Sequence, residues 1–138
     1  MMNRRVMVGM MRIQNLVFSL TGGRGMGMPL LRLTTTGRSS GQPRSVLLLY
    51  LDDEDGPIVI ASAAGADEDP QWWKNLQANS NATLQSAQHG TIAVTASELD
   101  GDDREQTWQR LVSERPVYGR YQEQTERRIP LVALSPAE

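Results

Sequence analysis

Two apolar runs separated by a loop of glycines, hydroxyls and arginines constrain this chain more than any other stretch. The first run spans Pro29 to Leu33 and the second spans Ser45 to Leu51, and residues 34–44, TTTGRSSGQPR, lie between them. Short apolar runs that are bounded by turn residues are typical of strands. The stretch therefore predicts a strand, a polar loop and a second strand.

The loop has the composition of an anion-binding loop. Gly37 and Gly41 can adopt positive φ angles, which lets the backbone approach a ligand closely. The guanidinium groups of Arg38 and Arg44 can each bind a phosphate or carboxylate, and the hydroxyls and N–H groups add donors. The loop is neither a P-loop nor a dinucleotide-binding glycine motif, because no helix opens with the required residues. A polar hairpin with two solvated arginines is the alternative that spacing alone leaves open.

The remaining pattern predicts an α+β domain. The predicted strands are residues 29–36, 44–52, 57–63, 82–88, 91–98 and 128–134. Six strands with few helices favour a sheet that is closed or nearly closed. We expect residues 1–28 to form an N-terminal helix, over 3–20, and a linker, and residues 29–138 to form the folded domain.

Three further helical segments follow from start signals and spacing. Asp69 as the N-cap and Pro70 as the first helical residue predict a helix that carries the neighbouring tryptophans. Asp102 with Glu105 three residues later resembles a capping box for a second helix. Residues 117–126 predict a short helical turn, which would present Tyr118 and Tyr121 together because they lie three residues apart.

Composition excludes several classes of function. The net charge of -2 gives no electrostatic case for nucleic-acid binding. The chain has no cysteine and one histidine, His89, so we predict no metal site and no thiol nucleophile. His89 is expected to be a solvated turn residue. No apolar stretch approaches the roughly 20 residues of a spanning helix, and we expect a cytoplasmic protein.

The first twenty residues predict a basic amphipathic helix. Val6, Met10 and Ile13 recur at helical spacing, and Arg4 and Arg5 supply positive charge. Such a helix either covers one end of the domain, which we favour, or contacts the inner face of the membrane peripherally.

Two longer motifs resemble the deazaflavin-dependent nitroreductase family, whose members use coenzyme F420 on a split β-barrel. The first is TTTGR-x-x-GQPR, and the second, further along, is ASAAGAD-x-x-P-x-WW-x-N-L-x-AN. YGRY at 118–121 ahead of RIP at 128–130 fits the same pattern. The resemblance runs from about Pro29 to Leu134. It implies a split β-barrel of about six mostly antiparallel strands with a few short helices.

The resemblance also implies a cofactor site. The anionic side of F420 would lie on Thr36, Gly37, Arg38, Ser39, Ser40, Gly41, Gln42, Pro43 and Arg44. The deazaflavin ring would lie beside Ala61, Ser62, Ala63, Ala64 and Gly65. Trp72 and Asn75 would cover the cofactor from a helix. The implied catalytic residues are Ser62, at the reacting end of the ring, and two tyrosines on the acceptor side, Tyr118 and Tyr121.

The implied activity is hydride transfer from reduced F420 to a planar electrophilic acceptor: a quinone, a nitro compound or a conjugated enone. The acceptor pocket is expected to differ from that of nitroimidazole-activating members, because Leu49 and Arg115 replace aromatic residues. Ser39 replaces a common lysine, which removes one cation from the loop that would hold the cofactor tail. A non-catalytic F420-binding carrier or sensor, and an FMN-dependent split-barrel oxidoreductase, are the alternatives. The cofactor implies an actinobacterial source, and we expect a monomer or a homodimer.

Overall fold

Alternating burial along the first strand defines the inside of a barrel. Leu31, Leu33 and Thr35 are buried, whereas the residues between them are half-buried. Successive side chains of a strand point to opposite faces of the sheet, so these three face the interior. The computed structural model describes residues 29–137, and its strands close on themselves.

All six strands pair antiparallel in the order β1-β2-β3-β6-β5-β4, and β4 returns to β1. The strands are β1 (Leu30–Thr36), β2 (Pro43–Leu51), β3 (Ile58–Ile60), β4 (Asn81–Ser86), β5 (Gly90–Glu98) and β6 (Leu131–Pro136). The helices are α1 (Gln71–Ala78), α2 (Gly101–Glu114) and α3 (Val117–Glu123), and a 3₁₀ turn spans Ala63–Gly65. The predicted α+β barrel is confirmed.

Two apolar clusters lie on opposite sides of the barrel wall. The interior cluster includes Leu33, Leu84 and Val94, and α1 adds Trp72 and Trp73 to it. The outer cluster joins the outward side chains of β3 and β6 to the helices α2 and α3; it includes Ile58, Ile60, Leu131, Leu111 and Tyr118. Helix α1 therefore packs with the barrel interior beside the β1–β2 loop, whereas α2 and α3 cover the wall from outside.

Four predicted features at element boundaries are wrong. Helix α1 begins at Gln71, and Asp69 is not its N-cap because its carboxylate pairs with Arg127 instead. The predicted capping box of Asp102 and Glu105 is absent, since α2 begins at Gly101 without a side-chain cap. The third strand ends at Ile60 because the chain turns into the 3₁₀ segment, and β6 begins at Leu131.

The N-terminal helix over residues 3–20 and the linker over 21–28 lie outside the described residues, so the domain boundary stays a prediction. None of the helices described within residues 29–137 has the length and apolar composition needed to cross a membrane.

A buried arginine on α2 was not predicted from the sequence. Arg104 is only 6% exposed, its Nη1 donates to the Ile129 carbonyl at 2.8 Å, and its guanidinium lies 5.3 Å from the Trp108 ring centroid. Burial lowers its pKa, and the nearby charge of Arg128 lowers it further. The Arg104 side chain therefore links α2 to the segment before β6 through a hydrogen bond.

We expect Arg104→Met to lower the free energy of unfolding by about 1–3 kcal/mol, because the buried Ile129 carbonyl loses its donor. Arg110→Met, on the same helix, is the matched control. Arg110 forms partly exposed ion pairs with Asp53 and Glu114, and such pairs contribute about 0–1 kcal/mol. Urea unfolding of both variants measures the difference, and equal losses would contradict the role assigned to Arg104.

Candidate functional site

A cleft of about 520 Å³ opens where the β1–β2 loop meets the first turns of α1. Its lining contains residues of the predicted cofactor site, namely Gly37, Arg38, Ser39, Ser40, Arg44, Trp72 and Asn75. It also contains Ser45, Val46 and Gln71, which were not predicted. The structure thus brings the first sequence motif and the tryptophan helix together in one cleft.

The loop is held tightly by its own backbone. The Gly37 N–H donates to the Gln42 carbonyl at 2.8 Å, and the Gly41 N–H donates to the Gly37 carbonyl at 2.8 Å. A Cβ atom at Gly37 would lie 2.7 Å from Ser40 Oγ, so a larger residue would displace that hydroxyl. Ser40 Oγ in turn accepts from Arg44 Nη2 at 3.2 Å. The turn therefore orients one of the two cleft guanidiniums.

Neutral side chains of α1 orient the other guanidinium. Arg38 Nη1 donates to Asn75 Oδ1 at 2.8 Å, and Arg38 Nη2 donates to Gln71 Oε1 at 2.7 Å. Asn75 is 5% exposed, and its Nδ2 donates to Thr35 Oγ1 on β1 at 3.2 Å. Asn75 therefore links strand, loop and helix. Both the oxygen and the nitrogen of its side-chain amide bind protein groups, and its role in the cleft is to orient the Arg38 guanidinium.

The cleft carries positive charge without a compensating carboxylate among the lining residues that the structure describes. Within residues 29–137, neither Arg38 nor Arg44 forms an ion pair with an acidic side chain. Two guanidiniums and three serine side chains line the cleft, and this donor set suits an anionic ligand with several charged oxygens.

Trp72 contacts both the barrel interior and the cleft. It is 8% exposed, belongs to the interior cluster and also lines the cleft, whereas its edge-to-face neighbour Trp73 belongs to the cluster alone. Thr36, Gly41, Gln42 and Pro43 lie in the loop or at its strand ends and do not line the cleft.

The second predicted part, residues 61–65, lies outside the cleft lining. Ala61 is buried, Ser62 is half-buried, and Ala63 and Ala64 are exposed with φ angles of 45° and 53°. The loop contacts the end of α3, since a Cβ at Gly65 would lie 2.6 Å from Gln124 Oε1 and 3.0 Å from the Tyr121 carbonyl. The structure thus places the predicted ring-binding loop against the helix that carries both predicted tyrosines.

The rings of Tyr118 and Tyr121 meet edge to face, with centroids 5.7 Å apart. Their spacing of three residues predicted that one helical turn presents both. Tyr118 is 7% exposed and packs in the outer cluster, and Tyr121 is half-buried against the same cluster. Burial raises the pKa of the Tyr118 phenol above 10.0, and the positive charge of Arg115 opposes part of that shift. Tyr118 is therefore a neutral hydroxyl donor at physiological pH.

The raised pKa of Tyr118 predicts a loss of stability in alkali. The folded state holds the phenolic proton more tightly than the unfolded chain, whose tyrosine pKa is about 10. The contribution of the protonated Tyr118 phenol to the free energy of unfolding is fully present below that pH, and it is lost as the pH rises through the folded pKa. Urea unfolding at about pH 8 and about pH 11 should show a larger drop for wild type than for Tyr118→Phe. An equal drop in both proteins would contradict the burial of this phenol.

The prediction for His89 is only partly correct. His89 lies in the turn between β4 and β5, but it is half-buried. Its Nδ1 lies 2.9 Å from Ser86 Oγ, and its ring meets Tyr50 edge to face. Within residues 29–137, no three acidic, histidine or cysteine side chains group in a way that could hold a metal ion.

Sequence reasoning missed Arg127. Its guanidinium donates to the carbonyls of Ala61, Ser62 and Ala66 and pairs with Asp69 at 2.8 Å. No local motif marks it, because its acceptors lie about sixty residues away along the chain.

Comparison with known proteins gives one consistent family. Residues 5–136 match the family model of F420H(2)-dependent quinone reductases. The chain is 32% identical over 143 residues to the F420H(2)-dependent quinone reductase Rv1261c of Mycobacterium tuberculosis, covering 97% of this chain and 95% of that protein.

Solved structures agree with the sequence comparison. A structure described as an F420-H2 dependent reductase, FDR-A, superposes with a TM-score of 0.68 at 35% identity, covering 78% of this chain and 94% of the other. Another, described as a domain-swapped dimer, has a TM-score of 0.70 at 32% identity and covers 90% of this chain and 96% of the other.

Proposed function

The chain belongs to the F420H(2)-dependent quinone reductase family, and from that premise we propose that it reduces a quinone with reduced coenzyme F420. The observation that carries the proposal is the family match over residues 5–136. The overall reaction balances without a further reactant, because F420H2 and a quinone give F420 and a quinol. When bound, the reduced cofactor supplies the hydride.

The cleft fits the anionic side of this cofactor. F420 carries a phosphodiester and a polyglutamate tail, and Arg38 and Arg44 supply two guanidiniums whose charge no described carboxylate neutralises. Charge-assisted hydrogen bonds to such oxygens are about twice as strong as neutral ones. Ser39 and Ser40 add hydroxyl donors at the same loop. Tail binding is thus the role proposed for residues 36–44.

We propose that the deazaflavin ring and the quinone bind beside residues 61–65 and α3. Ala63 and Ala64 are exposed, and their small side chains leave room for a flat ring to approach the backbone. Ser62 would lie at the reacting end of that ring, whereas Ala61 is fully buried and supports the loop from the barrel interior. Tyr118 and Tyr121 are the proposed contacts for the acceptor. A neutral phenol is able to donate a hydrogen bond to a quinone oxygen. The protein's contribution is to bind, orient and exclude water.

The cofactor is tested by titrating the protein separately into oxidised F420 and flavin mononucleotide and following the fluorescence of each. We expect micromolar or tighter binding to F420 and much weaker binding to the flavin. Preference for the flavin would instead support an FMN-dependent split-barrel oxidoreductase. A non-catalytic carrier would pass this titration but would not oxidise F420H2 with a quinone.

Quinones are our choice among the three predicted acceptor classes, since the matching family is named for them. Of the two predicted assembly states we propose the homodimer, because a 32% identical structure is described as a domain-swapped dimer. Light scattering on the full chain measures its mass. Cytoplasmic location and peripheral membrane contact stay predictions.

A further inference from the structure

Arg127, in the segment before β6, binds two other parts of the candidate site: the loop over residues 61–66 and the segment just ahead of α1. Arg127 Nε donates to the Ala66 carbonyl at 2.7 Å, Nη1 to the Ala61 carbonyl at 3.2 Å, and Nη2 to the Ser62 carbonyl at 2.8 Å. Nη1 also pairs with Asp69 Oδ1 at 2.8 Å, just ahead of α1. The side chain is only 15% exposed. All three nitrogens of the guanidinium thus hold the loop over residues 61–66 or the start of α1.

The loop that Arg127 holds has a backbone that needs outside support. Ala63 and Ala64 have φ angles of 45° and 53°, a region that residues with a Cβ adopt rarely. Such conformations persist when the surrounding structure fixes them, and they concentrate at functional sites. The loop's internal hydrogen bonds are few: Gly65 N–H donates to the Ser62 carbonyl and Ala66 N–H to the Ala63 carbonyl. The Ala61 N–H donates to the Pro130 carbonyl at 3.0 Å, and Arg127 binds carbonyls at both ends of the loop.

Arg127 is itself fixed by α3 and α2. Gln122 Nε2 donates to the Arg127 carbonyl at 2.7 Å, and Gln122 Oε1 accepts from the Ile129 N–H at 3.1 Å. Arg104 Nη1 donates to the Ile129 carbonyl at 2.8 Å. The backbone from Arg127 to Ile129 is therefore anchored, and this fixes the position from which the Arg127 side chain reaches the loop.

We propose that Arg127 is a positioning residue that preforms residues 61–66 for hydride transfer. The inference rests on the function proposed above, which places this loop beside the ring. Tail binding by Arg38 and Arg44 and ring positioning through Arg127 are then separate tasks of separate arginines. A lysine cannot replace Arg127, because a single ammonium group cannot reach several carbonyls with the fixed geometry of a guanidinium.

The first test needs no cofactor. Hydrogen exchange of the unliganded protein compares wild type, Arg127→Ala, Arg127→Lys and the control Arg128→Ala, which removes an exposed neighbouring charge. We expect both Arg127 variants to exchange about tenfold faster or more within residues 61–66, while the barrel strands keep wild-type protection. Arg128→Ala should match wild type throughout. Unchanged exchange within residues 61–66 in both Arg127 variants would overturn the inference.

The second test separates binding from turnover. For Arg127→Ala and Arg127→Lys we expect the Kd of oxidised F420 to rise by about threefold or less, because the charge-assisted contacts proposed for the cofactor tail lie in the separate β1–β2 loop. The turnover rate at saturating F420H2 and quinone should fall by about 10- to 100-fold, since misplacement of reacting groups by about 1 Å has effects of that size. Faster exchange with an unchanged turnover rate would overturn the positioning role. Wild-type protein that does not bind F420 would contradict the proposed function, and the exchange comparison would still decide whether Arg127 holds the loop.

Discussion

Replacing Arg38 and Arg44 together by alanine is expected to weaken F420 binding by about 10²- to 10⁴-fold while the barrel stays folded. Each lost charge-assisted hydrogen bond should cost about 1.5–3 kcal/mol, and the two arginines lie on the same cleft. The fold should tolerate the change because both side chains are exposed. Asn75 Oδ1 also keeps a donor in the backbone N–H of residue 38, at 3.2 Å. Fluorescence titration with oxidised F420 measures the loss.

The matched control removes the same net charge elsewhere. Arg120 and Arg128 are both exposed and lie outside the cleft lining. The double variant Arg120→Ala with Arg128→Ala should keep F420 affinity near wild type, because neither side chain lines the cleft and the field of an exposed charge is screened by salt. If both double variants lost affinity equally, the effect would be one of overall charge. Unchanged affinity in the cleft variant would remove this loop from the site.

The second large effect is expected from Leu33→Ala in the barrel interior. Leu33 is fully buried on β1, where it lies opposite Val46 of β2 and Leu84 of β4. Truncation of a fully buried leucine costs about 2–5 kcal/mol through lost transfer free energy and a residual cavity. That is a large part of the roughly 5–15 kcal/mol that stabilises a typical domain. Urea or thermal unfolding should therefore show a strongly lowered midpoint.

Leu33→Met is the control for this change, since it keeps the volume and should cost less than about 1.5 kcal/mol. If Leu33→Ala lowered the free energy of unfolding as little as Leu33→Met does, the three strands would not pack around this side chain. Since β1 and β2 also carry the cleft loop, the same variant should bind F420 less tightly as the temperature approaches its lowered midpoint.

Local patterns of the sequence predicted the elements that depend on neighbours along the chain. The β1–β2 hairpin followed from two apolar runs around a glycine loop, and the structure forms it over residues 30–51. Spacing also predicted that Tyr118 and Tyr121 share one face, and their rings touch. Six short strands with few helices predicted a closed sheet, and the six strands do close. The more specific prediction of a split barrel came from the family resemblance.

Features that depend on distant partners were not predictable from the same patterns. Asp69 before Pro70 has the local signature of an N-cap, but an ion pair with Arg127, 58 residues away, takes its carboxylate. Arg104 is buried although arginine is usually exposed, because a carbonyl of the segment before β6 accepts its hydrogen bond. Alanine prefers negative φ, so nothing in the sequence indicated the left-handed turn at Ala63 and Ala64.

The most direct measurement mixes the protein with F420H2 and a water-soluble quinone under anaerobic conditions and follows the fluorescence of oxidised F420. We predict enzyme-dependent oxidation that saturates with both reactants and yields one quinol for each F420 formed. Tight binding of F420H2 without oxidation above the protein-free rate would contradict the account, and would identify the chain as a carrier or sensor of the cofactor.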